Sequence, residues 1–232
     1  MIAYIAVIIG SYLIGSIPSG LVISKLRGID IREYGSGNIG TTNVLRTLGT
    51  RYGAIVLVAD VLRGVMAVLL ARYIIETSMG EMAAGFAVVA GHDWSVFLRF
   101  KGGRGVATSV GALFPMAMPA PLTGIIGLAV FILIIALTRY VSLGSIVGSV
   151  SAVLVMAIYT GLDRVPWQYM VYIVVVVALI IYQHRDNIAR LMSGKESKLG
   201  QKGEKREATG GKVEVESPLL APRVGAPRLL SC

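Results

Sequence analysis

The residues best equipped for chemistry lie in two glycine-rich, basic segments, Gly35-Ser-Gly-Asn-Ile-Gly-Thr-Thr-Asn-Val-Leu-Arg46 and Lys101-Gly-Gly-Arg-Gly-Val-Ala-Thr108. In the first, Gly35, Gly37 and Gly40 alternate with the hydrogen-bonding side chains of Ser36, Asn38, Thr41, Thr42 and Asn43, and Arg46 closes the run. In the second, Gly102 and Gly103 lie between Lys101 and Arg104. Glycine lets backbone approach a ligand closely. Clustered backbone amides cradle oxyanions, and guanidinium or ammonium groups complement phosphate. The chemistry implied is the binding of a phosphorylated substrate. The plain alternatives are a flexible connector for the first segment and ordinary positive charge beside a membrane span for the second.

Other motifs are narrower. Gly35-x-Gly37-x-x-Gly40 matches a dinucleotide fingerprint in form only, because no strand precedes it and no βαβ unit surrounds it. His92 and His184 are the two histidines, and His184 opens His-Arg-Asp-Asn187. Ser142 and Ser145 are three apart and share a helix face. No His, Asp or Glu spacing suits a metal, no nucleophile elbow occurs, and no cofactor is expected. The single cysteine, Cys232, excludes an intrachain disulfide.

Long apolar runs must position these groups. The chain of 232 residues is 55% hydrophobic and 15% charged, with a mean hydropathy of +0.73. A soluble domain carries about 25% charged residues. The apolar blocks fall at 2–24, 53–75, 81–98, 105–120, 121–138, 141–160 and 167–183. Most are near the ~20 residues that cross a bilayer core. The pattern predicts an all-α, polytopic integral membrane protein with about seven transmembrane helices. Five spans, with the short third and fourth blocks re-entrant, would keep the same sidedness.

Charge sets the orientation. Lys25, Arg27, Arg32, Arg46 and Arg51 follow the first block, and Arg99, Lys101 and Arg104 the third. Arg139 follows the fifth, and Arg185, Arg190 and Lys195 the last. Lys and Arg mark the cytoplasmic side, so the N-terminus is expected outside, the C-terminus inside, and both glycine-rich segments at the cytoplasm. The net charge of +9 is explained by orientation and anionic lipid rather than nucleic acid. Residues 1–194 read as one membrane domain. Residues 195–232, rich in Gly, Lys, Glu, Ser and Pro, read as a disordered cytoplasmic tail dispensable for chemistry.

At these residues the chain resembles the bacterial acyl-phosphate:glycerol-3-phosphate acyltransferases. The resemblance rests on 35–46, on Gly-His at 91–92 with Phe-Lys-Gly-Gly-Arg-Gly-Val-Ala-Thr at 100–108, on Arg-Tyr-Val-Ser-Leu-Gly-Ser at 139–145, and on Tyr-Gln-His-Arg-Asp-Asn-Ile-Ala-Arg-Leu at 182–191. It implies seven spans in the bacterial inner membrane and transfer of a fatty acyl group from acyl phosphate to the 1-hydroxyl of glycerol 3-phosphate. The products would be lysophosphatidic acid and inorganic phosphate. It also implies phosphate-binding or catalytic roles for Ser36, Arg46, Arg104, Ser145, His184 and Asn187. The family pattern reads Gly-Gly-Lys-Gly where this chain has Arg104. Arginine keeps the charge but cannot move a proton near neutrality.

Acyl phosphate is already activated, so the site needs positioning and oxyanion stabilisation rather than a covalent nucleophile. His184, His92 or a substrate phosphate oxygen would take the hydroxyl proton. A transporter of phosphate or organophosphate anions is the alternative from another class. It would need polar or broken helices through the full membrane depth. A phosphatidyltransferase would need an Asp-rich metal motif.

Overall fold

A computed structural model describes residues 1–206 of the chain. The described residues contain ten α-helices and no strand, with one isolated antiparallel bridge between Tyr34 and Lys205. Six of the seven apolar blocks each give one helix, the first gives two, and two short helices complete the ten.

The first block is broken in two, α1 (Ile2–Ser16) and α2 (Ser19–Leu26). Pro18 has no N–H, so the ladder stops there, and the Ser19 amide turns to the Ile17 carbonyl at 3.0 Å. The glycine-rich loop then leads into α3 (Thr41–Leu48), which ends at Gly49 with φ +91°. The longest helix, α4 (Thr50–Ile75), has 26 residues. Its partner α5 (Ser78–Asp93) starts at Thr77, whose hydroxyl accepts the Gly80 amide at 3.2 Å. The sequence pattern extends this block to 98. The helix ends at Asp93 because Val96–Leu98 forms a separate 3-10 turn and Arg99 and Phe100 take left-handed backbone.

Next come α6 (Val106–Met116), α7 (Leu122–Thr138), α8 (Val141–Gly161), α9 (Trp167–Gln183) and α10 (Arg185–Met192). The expected fourth block ran to 120. Pro115 closes α6 early, and the turn to α7 carries Pro119 and Pro121. By length and composition three segments can cross a membrane, Ile2–Leu26, Thr50–Ile75 and Val141–Gly161. A fourth is added if α9 and α10, bent by 55°, count as one. Exposed Ile125, Leu128, Ile132 and Leu137 on α7 and Leu154 and Ile158 on α8 suit a lipid-facing wall.

The core forms around α4. Tight helix contacts use small residues, as membrane helices do without a hydrophobic drive between them. A side chain on Gly64 would run into the Thr108 carbonyl, and one on Gly111 into that of Val61. Ala67, Val68, Val88, Val89, Ala112, Met116 and Tyr172 fill the centre.

Two arginine–carboxylate pairs, one half-buried and one buried, tie α4 to its neighbours. At one end Arg72 makes a two-pronged pair with Glu81 (2.9 and 2.8 Å) and donates to the Pro115 carbonyl at 2.9 Å, while the Tyr169 hydroxyl donates to Glu81 at 2.9 Å. Toward the other end Arg63 pairs with Asp60 and donates to the Gly15 and Ile17 carbonyls at 2.9 and 2.6 Å. Arg63 thus supplies donors at the chain break beside Pro18.

Candidate functional site

At the Arg63 end of the bundle a cavity of about 330 Å³ opens between the two glycine-rich segments and the α9–α10 junction. Ser36, Gly37 and Asn38 line it from the first segment and Lys101, Gly102, Gly103 and Arg104 from the second. Asp93, Trp94, Phe100, Gln183, Arg185 and Asp186 complete the wall.

The first segment is shaped by its own side chains. Buried Asn43 holds the loop as a strut. Its Nδ2 donates to the carbonyls of Ile31 (3.2 Å), Tyr34 (3.0 Å) and Asn38 (2.8 Å), and its Oδ1 accepts the Ser36 amide at 3.0 Å. Those bonds use both of its amide hydrogens. Asn43, expected to bind substrate, is therefore a positioning residue by geometry. Asn38 Oδ1 accepts the Gly40 amide at 2.8 Å in the turn just before α3. Gly35 and Gly37 sit at φ +53° and +73°, where other residues are strained. The Thr41 hydroxyl is buried without a partner among the described residues.

The second segment crosses the end of α5. The Gly103 amide donates to the His92 carbonyl at 3.0 Å. A side chain on Gly102 would meet the carbonyls of His92 and Asp93, and one on Gly103 the His92 imidazole. His92 therefore buttresses the loop from beneath and does not line the cavity. Its other ring nitrogen lies 3.5 Å from Arg63.

A second polar cluster lies beside the cavity and centres on Glu196. Its carboxylate accepts from Ser142 Oγ at 2.9 Å, from Asn187 Nδ2 at 2.6 Å and from Arg190 Nε at 2.7 Å. These bonds hold its carboxyl below the usual carboxylate range although burial acts the other way. Ser142 and Asn187, both expected to meet substrate, are here joined to Glu196. Asn187 Oδ1 remains free of a partner among the described residues. Ser145 donates to the Val141 carbonyl of its own helix at 3.0 Å.

His184 caps the bend between α9 and α10 and is 3% exposed. Its Nδ1 lies 2.7 Å from the Ile180 carbonyl, so Nδ1 carries the proton and Nε2 is the acceptor. Burial lowers this imidazole to about 4. Arg104 is pushed down to about 10, by burial first and then by the Arg190 charge. Arg46 is lowered mainly by burial. Both arginines stay protonated at neutral pH, and neither forms an ion pair within the described residues. Arg46 Nη2 donates to the Ser197 carbonyl at 2.7 Å, and its Nε is buried without a partner.

Glu196 and Arg190 were absent from the sequence-based candidates, as were Asp60 and Arg63. An ionisable pair three residues apart inside an apolar span is a signal that could have found Asp60 and Arg63. Glu196 has no comparable local signal.

The first twelve residues of the expected tail, 195–206, are described and lie against the helices. The Leu199 amide donates to the Arg139 carbonyl at 2.7 Å and the Gly203 amide to that of Arg46 at 3.1 Å. The Gly35 amide donates to the Glu204 carbonyl at 2.9 Å. The remainder of the tail, 207–232, lies outside the described residues.

A helical bundle with lipid-facing walls and a cation-rich, glycine-lined cavity at one end defines an integral membrane protein built to hold anions. The sequence comparisons narrow that class. Residues 5–194 match the family model for glycerol-3-phosphate acyltransferase. The chain is 50% identical over 195 residues to the glycerol-3-phosphate acyltransferase of Thermoanaerobacter sp. (strain X514), covering 84% of this chain and 94% of that relative. It is 43% identical over 208 residues to that of Clostridioides difficile (strain 630), covering 87% and 98%. The crystal structure of PlsY (YgiH), an integral membrane glycerol 3-phosphate acyltransferase, in its glycerol 3-phosphate form is 40% identical, with a TM-score of 0.77 over 85% of this chain and 96% of that one. A second form of that protein holds lysophosphatidic acid. This chain belongs to the glycerol-3-phosphate acyltransferase family and is an acyltransferase of the membrane.

Proposed function

We propose that the protein transfers a fatty acyl group from acyl phosphate to the 1-hydroxyl of glycerol 3-phosphate, releasing lysophosphatidic acid and inorganic phosphate. The observation that carries this reading is the cavity that gathers Ser36, Lys101 and Arg104 from two segments 65 residues apart in sequence (36 to 101). Two anionic substrates must meet for this reaction. Arg104 and Lys101 at the cavity, with Arg46 beside it, offset the repulsion between them. The loop amides and the Ser36 hydroxyl are the available oxyanion donors.

The attacking hydroxyl must lie about 3–3.5 Å from the carbonyl carbon. The proton passes to the phosphate oxygen of the departing donor or to His184 Nε2. A base lowered to about 4 holds a proton weakly, which favours the phosphate oxygen. The oxygen–phosphate bond is retained and the carbonyl–oxygen bond to phosphate breaks. No metal or cofactor enters these steps.

On this reading the chain lies in the bacterial inner membrane with seven spans, the N-terminus outside and the cavity facing the cytoplasm. The Lys and Arg distribution supports that sidedness. Purified protein supplied with glycerol 3-phosphate and either acyl phosphate, acyl-CoA or acyl carrier protein tests the donor. Lysophosphatidic acid and phosphate should form from acyl phosphate. Robust acylation from acyl-CoA, with no acyl phosphate formed, overturns the donor assignment.

A further inference from the structure

Residues 197–206 are more than a trailing end, and they lie beyond the 5–194 span that matches the family model. They cross the face that carries the first glycine-rich segment and are tied to it repeatedly. Arg46 Nη2 donates to the Ser197 carbonyl, and the Arg46 carbonyl accepts the Gly203 amide. The Gly35 amide donates to Glu204, and the Arg206 amide to the Glu33 carbonyl at 2.7 Å. Lys205 adds an ion pair with Glu33 at 3.7 Å. At the other edge Arg139 Nη2 donates to the Leu199 carbonyl at 2.8 Å.

Two details bear on the cavity. The Arg206 guanidinium occupies the space a side chain on Gly37 would fill, and Gly37 lines the cavity. Gly203 passes so close to α3 that a side chain there would strike the Thr47 hydroxyl, while the next atoms, Thr47 Cβ and Gly35 Cα, are 3.5 and 3.6 Å away.

We propose that residues 197–206 form a strap that completes the phosphate site, with the Ser197 carbonyl orienting Arg46 and Arg206 standing at the cavity rim as a further binding cation. The strap rests on the acyltransferase reading for its ligand, glycerol 3-phosphate. Arg206 is exposed, so its charge adds a modest increment. Orientation of Arg46 is the larger effect, because a guanidinium already aimed loses less rotamer freedom on binding.

The test is a size exchange in the full chain, reading glycerol 3-phosphate binding by calorimetry without donor and KM against kcat with it. Gly203→Ala should weaken binding and raise KM with little change in kcat. Thr47→Ala alone should bind normally, and Gly203→Ala with Thr47→Ala should recover binding, because only the hydroxyl obstructs. Arg206→Ala should weaken binding roughly two- to fivefold, the scale of an exposed ion pair, and Arg206→Lys should regain most of it. Wild-type affinity in Gly203→Ala or in Arg206→Ala overturns the strap, and so does a Gly203→Ala defect that Thr47→Ala fails to repair. A wild-type protein that neither binds nor acylates glycerol 3-phosphate refutes the acyltransferase reading instead.

Discussion

The two glycine-rich segments have similar composition, but their glycines crowd different partners: side-chain ends in the first, backbone carbonyls and a packed imidazole in the second. In 35–46 the glycines set a path. Gly35 and Gly37 turn through positive φ, and Asn43, on α3, gathers three carbonyls of the chain that leads into that helix, so a side chain on Gly35 would also press on the Asn43 carboxamide. In 101–105 the glycines provide clearance. Gly102 and Gly103 pass over the end of α5 where the His92 carbonyl and imidazole leave no room, and only Gly105 has positive φ. A path can flex with its strut, whereas clearance against a packed helix cannot. The first segment is thus the adjustable side of the site and the second the fixed side.

The cations sharpen that contrast most strongly. Arg104 stands on the fixed side without an ion pair among the described residues, and Arg46 is already engaged by Ser197. Truncating a charge-assisted bond to a buried anion costs about 2–5 kcal/mol, or roughly 30- to several-thousand-fold in rate. Arg104→Ala should lower kcat/KM toward the upper part of that range and Arg46→Ala toward the lower part, both in protein that remains folded. Steady-state kinetics with acyl phosphate check the order, and the reverse order would make the first segment the anchor. Arg104→Lys should keep most activity if only charge matters there.

Clearance itself is the next target. Gly102→Ala forces a methyl group onto backbone carbonyls that belong to α5, and overpacking of this kind costs about 1–3 kcal/mol. Displacing the loop by about 1 Å would reduce turnover near a hundredfold. Gly35→Ala should do less, near tenfold, because a left-handed residue costs roughly 1–2 kcal/mol and the methyl group meets the end of the Asn43 side chain rather than helix backbone. Equal losses at both positions would erase the distinction. Gly40→Ala, at φ −76° with only the Asn38 carboxamide oxygen nearby at 3.1 Å, should be nearly silent.

The smallest effect concerns pH. His184 is lowered by burial from 6.5 to about 4, so between those values the unfolded chain binds the proton and the folded one does not. Stability is therefore complete above about pH 6.5 and declines as pH falls toward 4. Thermal unfolding in detergent should show that decline, and His184→Gln should lessen it.

Much of the architecture was legible from hydrophobic blocks alone, because each long apolar run is helical over most of its length, although Pro18 breaks the first and the third and fourth end early. The misses are places where length or composition stops informing. Helix α3 is short and polar on one side, so no block announced it, and α10 hides behind a bend at His184. The third block appeared to run to 98 because Val96, Phe97 and Leu98 are apolar, yet they form a separate turn. Within the site, residue types pointed to Ser36, Lys101 and Arg104, which do share a cavity. Nothing local marked Asn43 as a strut or Glu196 as the centre of a cluster. Their partners lie along folded paths, 54 residues away in the case of Ser142 and Glu196. The tail from 195 looked unable to fold because its ties are mostly backbone bonds, which leave no trace in side-chain composition.

Helix α6 has a consequence for the surrounding lipid. Its 11 residues rise only about 16 Å, and the 17 of α7 about 26 Å, while the 26 of α4 reach about 39 Å. Taken as spans, α6 and α7 would offer a bilayer core of ~30 Å a wall shorter than itself. Lipids there would tilt or shorten their tails, at fractions of a kcal/mol per Å of mismatch. The site opens at the start of α6, beside that thinned rim. On the proposed reaction, the acyl chain of a donor whose phosphate is held near Arg104 would enter that patch of membrane, and turnover should respond to the chain length of the host lipid, with thin bilayers relieving the mismatch and thick ones deepening it.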